Sequence, residues 1–322
     1  MKRHIPVLLD ETIESLQLKP GMNVIDCTLG DAGHAERVLE ATGPDGKLLG
    51  IDADSESLLR AKQFLHDYSE RITFVRDNFE LLEDIVEAES FGPADAILLD
   101  LGWSSPQFAD RGRGFSFQNA NESLDMRYDT RMECEHTAKI PEMSMDGKPL
   151  YGRCTAGELV NHKSKHELEQ IFREYGEEKL SKEIASAIVE KRKEFALETV
   201  GDLVNVILDV YRKKLKTDKE IPWIGGIHPA TKVFQSLRIA VNDEIGVLKR
   251  VLPIAVGALS SGGRIAVISF HSLEDSIVKH FFKSQKNKTL NIITKKPIIS
   301  GDKERESNPR ARSAKLRIAQ KL

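Results

Sequence analysis

Four carboxylates fall where short apolar runs stop. Asp26 follows Val24-Ile25, Asp52 follows Leu48-Leu49-Gly50-Ile51, Asp77 comes just after Ile72-Thr73-Phe74-Val75, and Asp100 closes Ala96-Ile97-Leu98-Leu99. A carboxylate so placed accepts hydrogen bonds from hydroxyls and amines and attracts cations. The first is followed by Cys27-Thr28-Leu29-Gly30-Asp31-Ala32-Gly33-His34. Glycine permits positive φ or close approach of a ligand, and a helix opening after such a loop presents unpaired N–H groups, so the stretch suits a nucleotide. It also suits a tight strand-to-helix turn that holds nothing. A dinucleotide fingerprint needs a third glycine that Gly30 and Gly33 do not supply. Asp26 and Asp31 would repel phosphate yet could take an ammonium group. S-adenosylmethionine, an adenosine without phosphates that carries an amino acid, fits those demands. Asp52 lies 22 residues beyond Gly30, near the separation at which an acidic residue bonds ribose hydroxyls. Asp77 and Phe79 are placed to meet an adenine by hydrogen bond and ring stacking, although a Phe there serves equally as a core anchor.

Beyond Asp100 the chain reads Leu101-Gly102-Trp103-Ser104-Ser105-Pro106-Gln107. A carboxylate, two hydroxyls, a proline and an amide beside a sulfonium are suited to grip a planar base. The same residues also make a Ser-Pro turn with an exposed Trp.

The elements that must position these groups follow from periodicity. Asp10 to Leu16 is a short helix ended by Pro20-Gly21. Strands at 24–26, 47–52, 72–75 and 94–99 alternate with helical segments at 35–40 and 55–68, the pattern of a parallel sheet whose ligands sit beyond the carboxyl ends of its strands. From about Arg111 to Cys154 there is little periodicity. Helices then dominate: Thr155 with Glu158 forms a capping-box pattern, and apolar residues recur at helical spacing through Leu180, Ile184 and Ile188 and again from Val200 to Tyr211. Residues 111–224 therefore read as a mainly helical insert for substrate recognition, lodged within a discontinuous sheet domain of 1–110 and 225–322. The α/β pattern resumes after Pro222, with helices from His228-Pro229 and from Glu244 to Leu259, a strand at Arg264–Phe270, and a closing antiparallel pair at 292–293 and 316–318. Seven strands with a late hairpin form the plan of a class I S-adenosylmethionine methyltransferase, a Rossmann-like α/β fold.

Lys plus Arg is 47 against 50 Asp plus Glu, so net charge gives no hint of a nucleic-acid partner. Its distribution does, because the stretch from Lys283 onward carries +9 against −12 in the remainder. The three cysteines lack metal-type spacing, which points to a reducing cytoplasm and to no metal. The longest apolar runs, such as Val251 to Leu259, are too short to cross a bilayer.

With these residues in hand the chain resembles the bacterial 16S rRNA cytosine-N4 methyltransferase H family. The matching blocks are HIPVLLDETIESL, DLGWSSPQF with RGFSF and SLDMRYD, FREYGEE, HPATKVFQSLRIAVNDE, GGRIAVISFHSLEDSIVK and NPRARSAKLR, in order and over nearly the full length. The resemblance implies methyl transfer from S-adenosylmethionine to the N4 of a cytidine in 16S rRNA, at the decoding centre of the small ribosomal subunit. Carried over by motif, it implies cofactor contacts from Ala32, Gly33, His34, Asp52, Phe79, Asp100 and Gln107. Ala32 stands where the family usually has glycine, and Trp103 where it usually has a smaller residue. Attack by a cytosine amine is helped by an oxygen that accepts an N4 hydrogen, for which Asp100, Ser104 and Ser105 are the candidates. Trp103, Phe108 and Phe115 are candidate base platforms, each of which also suits a core position. Arg310, Arg312, Lys315 and Arg317 are placed to neutralise phosphate or to form a solvated tail. His228 and His271 read as structural. A DNA or small-molecule acceptor, a non-catalytic RNA-binding protein on the same fold and, more remotely, a nicotinamide dehydrogenase are the rival readings. Nothing in the sequence fixes an oligomeric state.

Overall fold

The computed structural model describes residues 5–101, 112–129, 154–217, 219, 221 and 227–322. The chain forms two compact units, one of Met1–Trp103 with Ile245–Leu322 and one of Ser104–Glu244.

The first unit begins with α1 (Leu9–Leu16), β1 (Val24–Asp26), α2 (Gly33–Thr42), β2 (Leu48–Ile51), α3 (Ser55–Phe64), β3 (Ile72–Val75), α4 (Leu82–Ala88) and β4 (Ala94–Asp100). β1 and β2 are buried at every residue, as expected of parallel strands covered on both faces. Side chains alternate along a strand, so neighbours face opposite layers. Ile97 and Leu99 join one core with Ile25 and Ile51, whereas Ala96 and Leu98 join another with Val24 and Leu48.

The second unit holds α5 (Ala156–His162), α6 (Lys165–Gly176), α7 (Ser181–Lys191), α8 (Val200–Leu215) and α9 (Thr231–Val241). The expected capping box is present: Glu158 N donates to Thr155 Oγ1 at 3.1 Å and Thr155 N to Glu158 Oε2 at 2.7 Å. Val233, Phe234 and Leu237 share a core with Ile171, Phe172, Ile184 and Ile207. The compact helical unit therefore runs to Glu244, whereas the sequence break falls near 225. One more helix of the same unit follows, α9, which begins at Thr231, two residues past Pro229. A clasp in this unit explains two of the sequence blocks. Tyr128 N donates to Asn242 Oδ1 (2.9 Å), Asn242 Nδ2 to the Met126 carbonyl (2.8 Å), and Tyr128 Oη to Glu244 Oε1 (2.7 Å). Arg238 grips the same Glu244 carboxylate with Nε at 2.8 Å and Nη2 at 3.0 Å. Cys154 is disulfide-bonded, a departure from the fully reduced thiols that the cysteine count points to, while Cys27 is a buried free thiol.

The chain returns through α10 (Glu244–Ala258), β5 (Leu259–Ser269), α11 (Ser272–Gln285), β6 (Leu290–Ile292), α12 (Asp302–Ser307) and β7 (Lys315–Lys321). The seven strands lie in the order β3-β2-β1-β4-β5-β7-β6. β1 to β5 are parallel, and β7 runs antiparallel between β5 and β6. After stepping outward from β1 to β3 the chain comes back to lay β4 on the other side of β1. That reversal opens a crevice at the carboxyl ends of β1 and β4, where an open α/β sheet takes its ligand.

Candidate active site

Each of the first, second and fourth strands delivers a carboxylate to that crevice. Asp52, next after β2, is 9% exposed. Its Oδ2 accepts the Gly30 N–H and its Oδ1 the Asp54 N–H, both at 2.8 Å, so the carboxylate is fixed between the β1 loop and the start of α3. An ionised carboxylate has about four lone-pair directions. Such an acceptor suits the hydroxyls of a neutral ribose better than the oxygens of a pyrophosphate. Gly30 has φ +52°, the left-handed conformation a glycine takes without strain.

The rest of the loop is built differently from the sequence expectation. Gly33 is required by protein packing, since a Cβ there would come within 2.8 to 3.1 Å of the Pro6 ring. Ala32 sits at φ +60° in front of α2, a left-handed position that costs a non-glycine residue on the order of 1 kcal/mol. His34 Nε2 lies 3.2 Å from the Val7 carbonyl, which makes Nε2 the protonated nitrogen, and its Nδ1 is 3.7 Å from Asp100 Oδ2.

Neither Asp26 nor Asp31 is an open ammonium ligand. Asp31 Oδ1 takes a hydrogen bond from Arg60 Nε at 2.8 Å, and both side chains are largely buried. Asp26 is 1% exposed, and burial pushes its carboxyl up to about 7 against the pull of the Thr28 N–H, with Asp52 adding to the rise. Phe79 packs into the core with Leu82 and Ile85 and is 8% exposed, so little of its ring remains to meet a ligand. Asp77 Oδ1 accepts the N–H of Asn78.

Asp100 ends β4 with its carboxylate partly accessible. Arg310, on the short turn Pro309–Arg312, lies half-buried in the field of both Asp100 and Asp31. Burial pulls this guanidinium down to about 10, opposed by those two carboxylates. It therefore belongs to the strand-end chemistry, a place the sequence pattern alone does not reveal. Arg317 and Lys315 are committed to Asp275 at 2.6 and 3.5 Å, while Arg312 and Lys283, Lys286, Lys288, Lys295 and Lys296 are exposed. His271 caps α11, accepting the Glu274 N–H at Nδ1. His228 stacks on Phe117 at 4.5 Å, and Phe115 stacks on Tyr128 at 5.5 Å beside the helical core. Trp103, Ser104, Ser105, Gln107 and Phe108 lie outside the described residues.

The family described as the MraW methylase family matches residues 1–146 and 136–322. The ribosomal RNA small subunit methyltransferase H of Heliobacterium mobile is 42% identical over 99% of this chain and 99% of its own length. The protein of the same name from Symbiobacterium thermophilum is 40% identical over 99% of this chain and 96% of its own. A solved rRNA methylase from Streptococcus thermophilus has a TM-score of 0.41 at 10% identity, covering 97% of this chain and 93% of its own.

Proposed function

The chain belongs to the MraW methylase family, and from that premise we propose that it transfers the methyl group of S-adenosylmethionine to the exocyclic N4 of a cytidine in the 16S rRNA of the small ribosomal subunit. Its relatives of about 40% identity carry the name of a small-subunit rRNA methyltransferase over the whole chain. The observation that supports the cofactor end is Asp52, whose carboxylate is fixed at the end of β2 by Gly30 N and Asp54 N, 22 residues beyond Gly30.

When bound, the sulfonium supplies an activated methyl group with a good, neutral leaving group, so rate comes mainly from positioning and exclusion of water. Asp52 orients the ribose, and Ala32, Gly33, His34 and Gln107 complete the cofactor contacts by motif. Asp100, helped by Ser104 and Ser105, accepts a hydrogen of cytosine N4, which favours return of the ring-delocalised lone pair to nitrogen. A base in structured RNA must be splayed out to reach such a place. The exposed lysines of the C-terminal flank supply phosphate contacts. The helical unit serves substrate recognition. Ribosomal substrate puts the work in the cytoplasm.

The test is methylation of small ribosomal subunits that lack the modification, with labelled S-adenosylmethionine and nucleoside mapping of the product. Label in N4-methylcytidine of 16S rRNA is expected. Label confined to naked DNA or to a small molecule would overturn the acceptor, and no binding of S-adenosylmethionine would overturn the reaction.

A further inference from the structure

β1 stops at Asp26, paired with Leu98, while β4 runs on to Asp100. The last backbone rung between them is Cys27 N to the Leu98 carbonyl at 2.9 Å. Beyond it the chain turns into the loop, and the strand-end N–H of Asp100 goes to a side chain. That side chain is Thr28: Asp100 N donates to Thr28 Oγ1 at 2.7 Å. Thr28 is itself held from below, since its N–H donates to Asp26 Oδ1 at 3.0 Å and its hydroxyl faces the same oxygen at 3.5 Å. Asp26 is shut away from water, so its acceptor cannot be diverted to solvent. On the other side the strand end is pinned by Leu101 N to the Ile268 carbonyl at 2.9 Å.

We propose that Thr28 is a positioning residue for methyl transfer: its hydroxyl replaces the missing rung of the β1–β4 ladder and so fixes the backbone from which the Asp100 carboxylate faces the acceptor amine. The inference rests on the reading of Asp100 as the group that accepts the N4 hydrogen. A β-branched side chain serves because its χ1 is stiff, which holds the oxygen at the strand gap without help from water. Valine keeps that shape and removes the acceptor. Serine keeps the acceptor with a looser χ1.

The experiment measures kcat and cofactor KM for methylation of small ribosomal subunits by the parent, Thr28→Val, Thr28→Ser, Asp100→Asn and the double variant Thr28→Val with Asp100→Asn. Thermal melts serve as the folding control, and Thr28→Ala replaces Thr28→Val should the latter not fold. Loss of one oriented hydrogen bond is expected to lower kcat about tenfold in Thr28→Val, while Thr28→Ser recovers to within about threefold. On the Asp100→Asn background the valine substitution is expected to change kcat by less than about threefold, because the residue it positions is already disabled. A parental kcat for Thr28→Val, or the same fold loss on both backgrounds, would overturn the proposal while leaving Asp100 in its role. A parental kcat for Asp100→Asn alone would instead overturn the reading of Asp100, and the positioning role with it.

Discussion

Asp26 carries a carboxyl that the fold has closed off from water, and this gives the protein a pH dependence whose sign can be worked out. Its value rises from 3.8 to about 7 on folding, chiefly by burial. The native state thus favours the protonated form, and the contribution of this group to stability is full below pH 4 and lost as pH climbs through 7. The difference amounts to on the order of 4 kcal/mol. In Asp26→Asn, where nothing titrates, melting temperature should hold up better than that of the parent between pH 5 and pH 8, by several degrees; parallel curves would disprove the assignment. The ribose contact proposed for Asp52 is read through the ligand instead. Asp52→Ala should weaken S-adenosylmethionine binding by about tenfold or more, as loss of charge-assisted hydrogen bonds to ribose requires. Calorimetry that returned the parental affinity would remove the ribose role.

At the scale of elements, the strands were legible because central parallel strands are nearly unbroken apolar runs, and the late hairpin showed in Leu316 to Ile318. The spacing from Gly30 to Asp52 singled out Asp52 as a ligand contact, whereas the hydrogen bond between them had no sign in it. Contacts across long separations were not legible. Arg60 reaches Asp31 from 29 residues away, and no local pattern announces that partner. Phe79 could be read as core or as stacking platform, since a lone Phe looks the same in either role. The helical unit extends past the border read at Pro222, because the packing of Phe234 and Leu237 on Ile171 and Ile207 joins residues far apart in the chain and leaves no local mark. The Asn242 clasp gives a check on that wider border. Asn242→Ala strands the Tyr128 N–H and the Met126 carbonyl and should cost about 1–3 kcal/mol. A melt of the whole protein should show the loss, and an unchanged midpoint would mean that the clasp is idle.

Across the sheet-bearing unit as a whole, residues near the two ends of the chain meet beside the loop between β1 and α2. Asn308 Nδ2 donates to the Ile5 carbonyl at 3.2 Å, and Leu8 N donates to Glu304 Oε1 at 2.8 Å. Pro6 packs on Gly33, Val7 holds His34, and Ala311 shares a core with Leu29 and Ala32. Asn308→Ala should therefore loosen a loop some 275 residues earlier in the chain. Losing about 1 kcal/mol of local protection corresponds to roughly fivefold faster amide exchange. The increase should appear at residues 30–36 and be absent from β3, and a uniform rise would point to global destabilisation instead.

β7 has a consequence for how the molecule is made. β7 follows both β5 and β6 in the chain yet is slotted between them in the sheet, so one edge of β5 and the sheet pairing of β6 wait until it has been made. A nascent chain stopped short of residue 315 would hold an open seam, with β5 offering unpaired N–H and C=O groups to any passing strand. Helices of the inserted unit have no such wait. Translation thus imposes an order of events: the helices of the insert are made before the strand that closes the sheet.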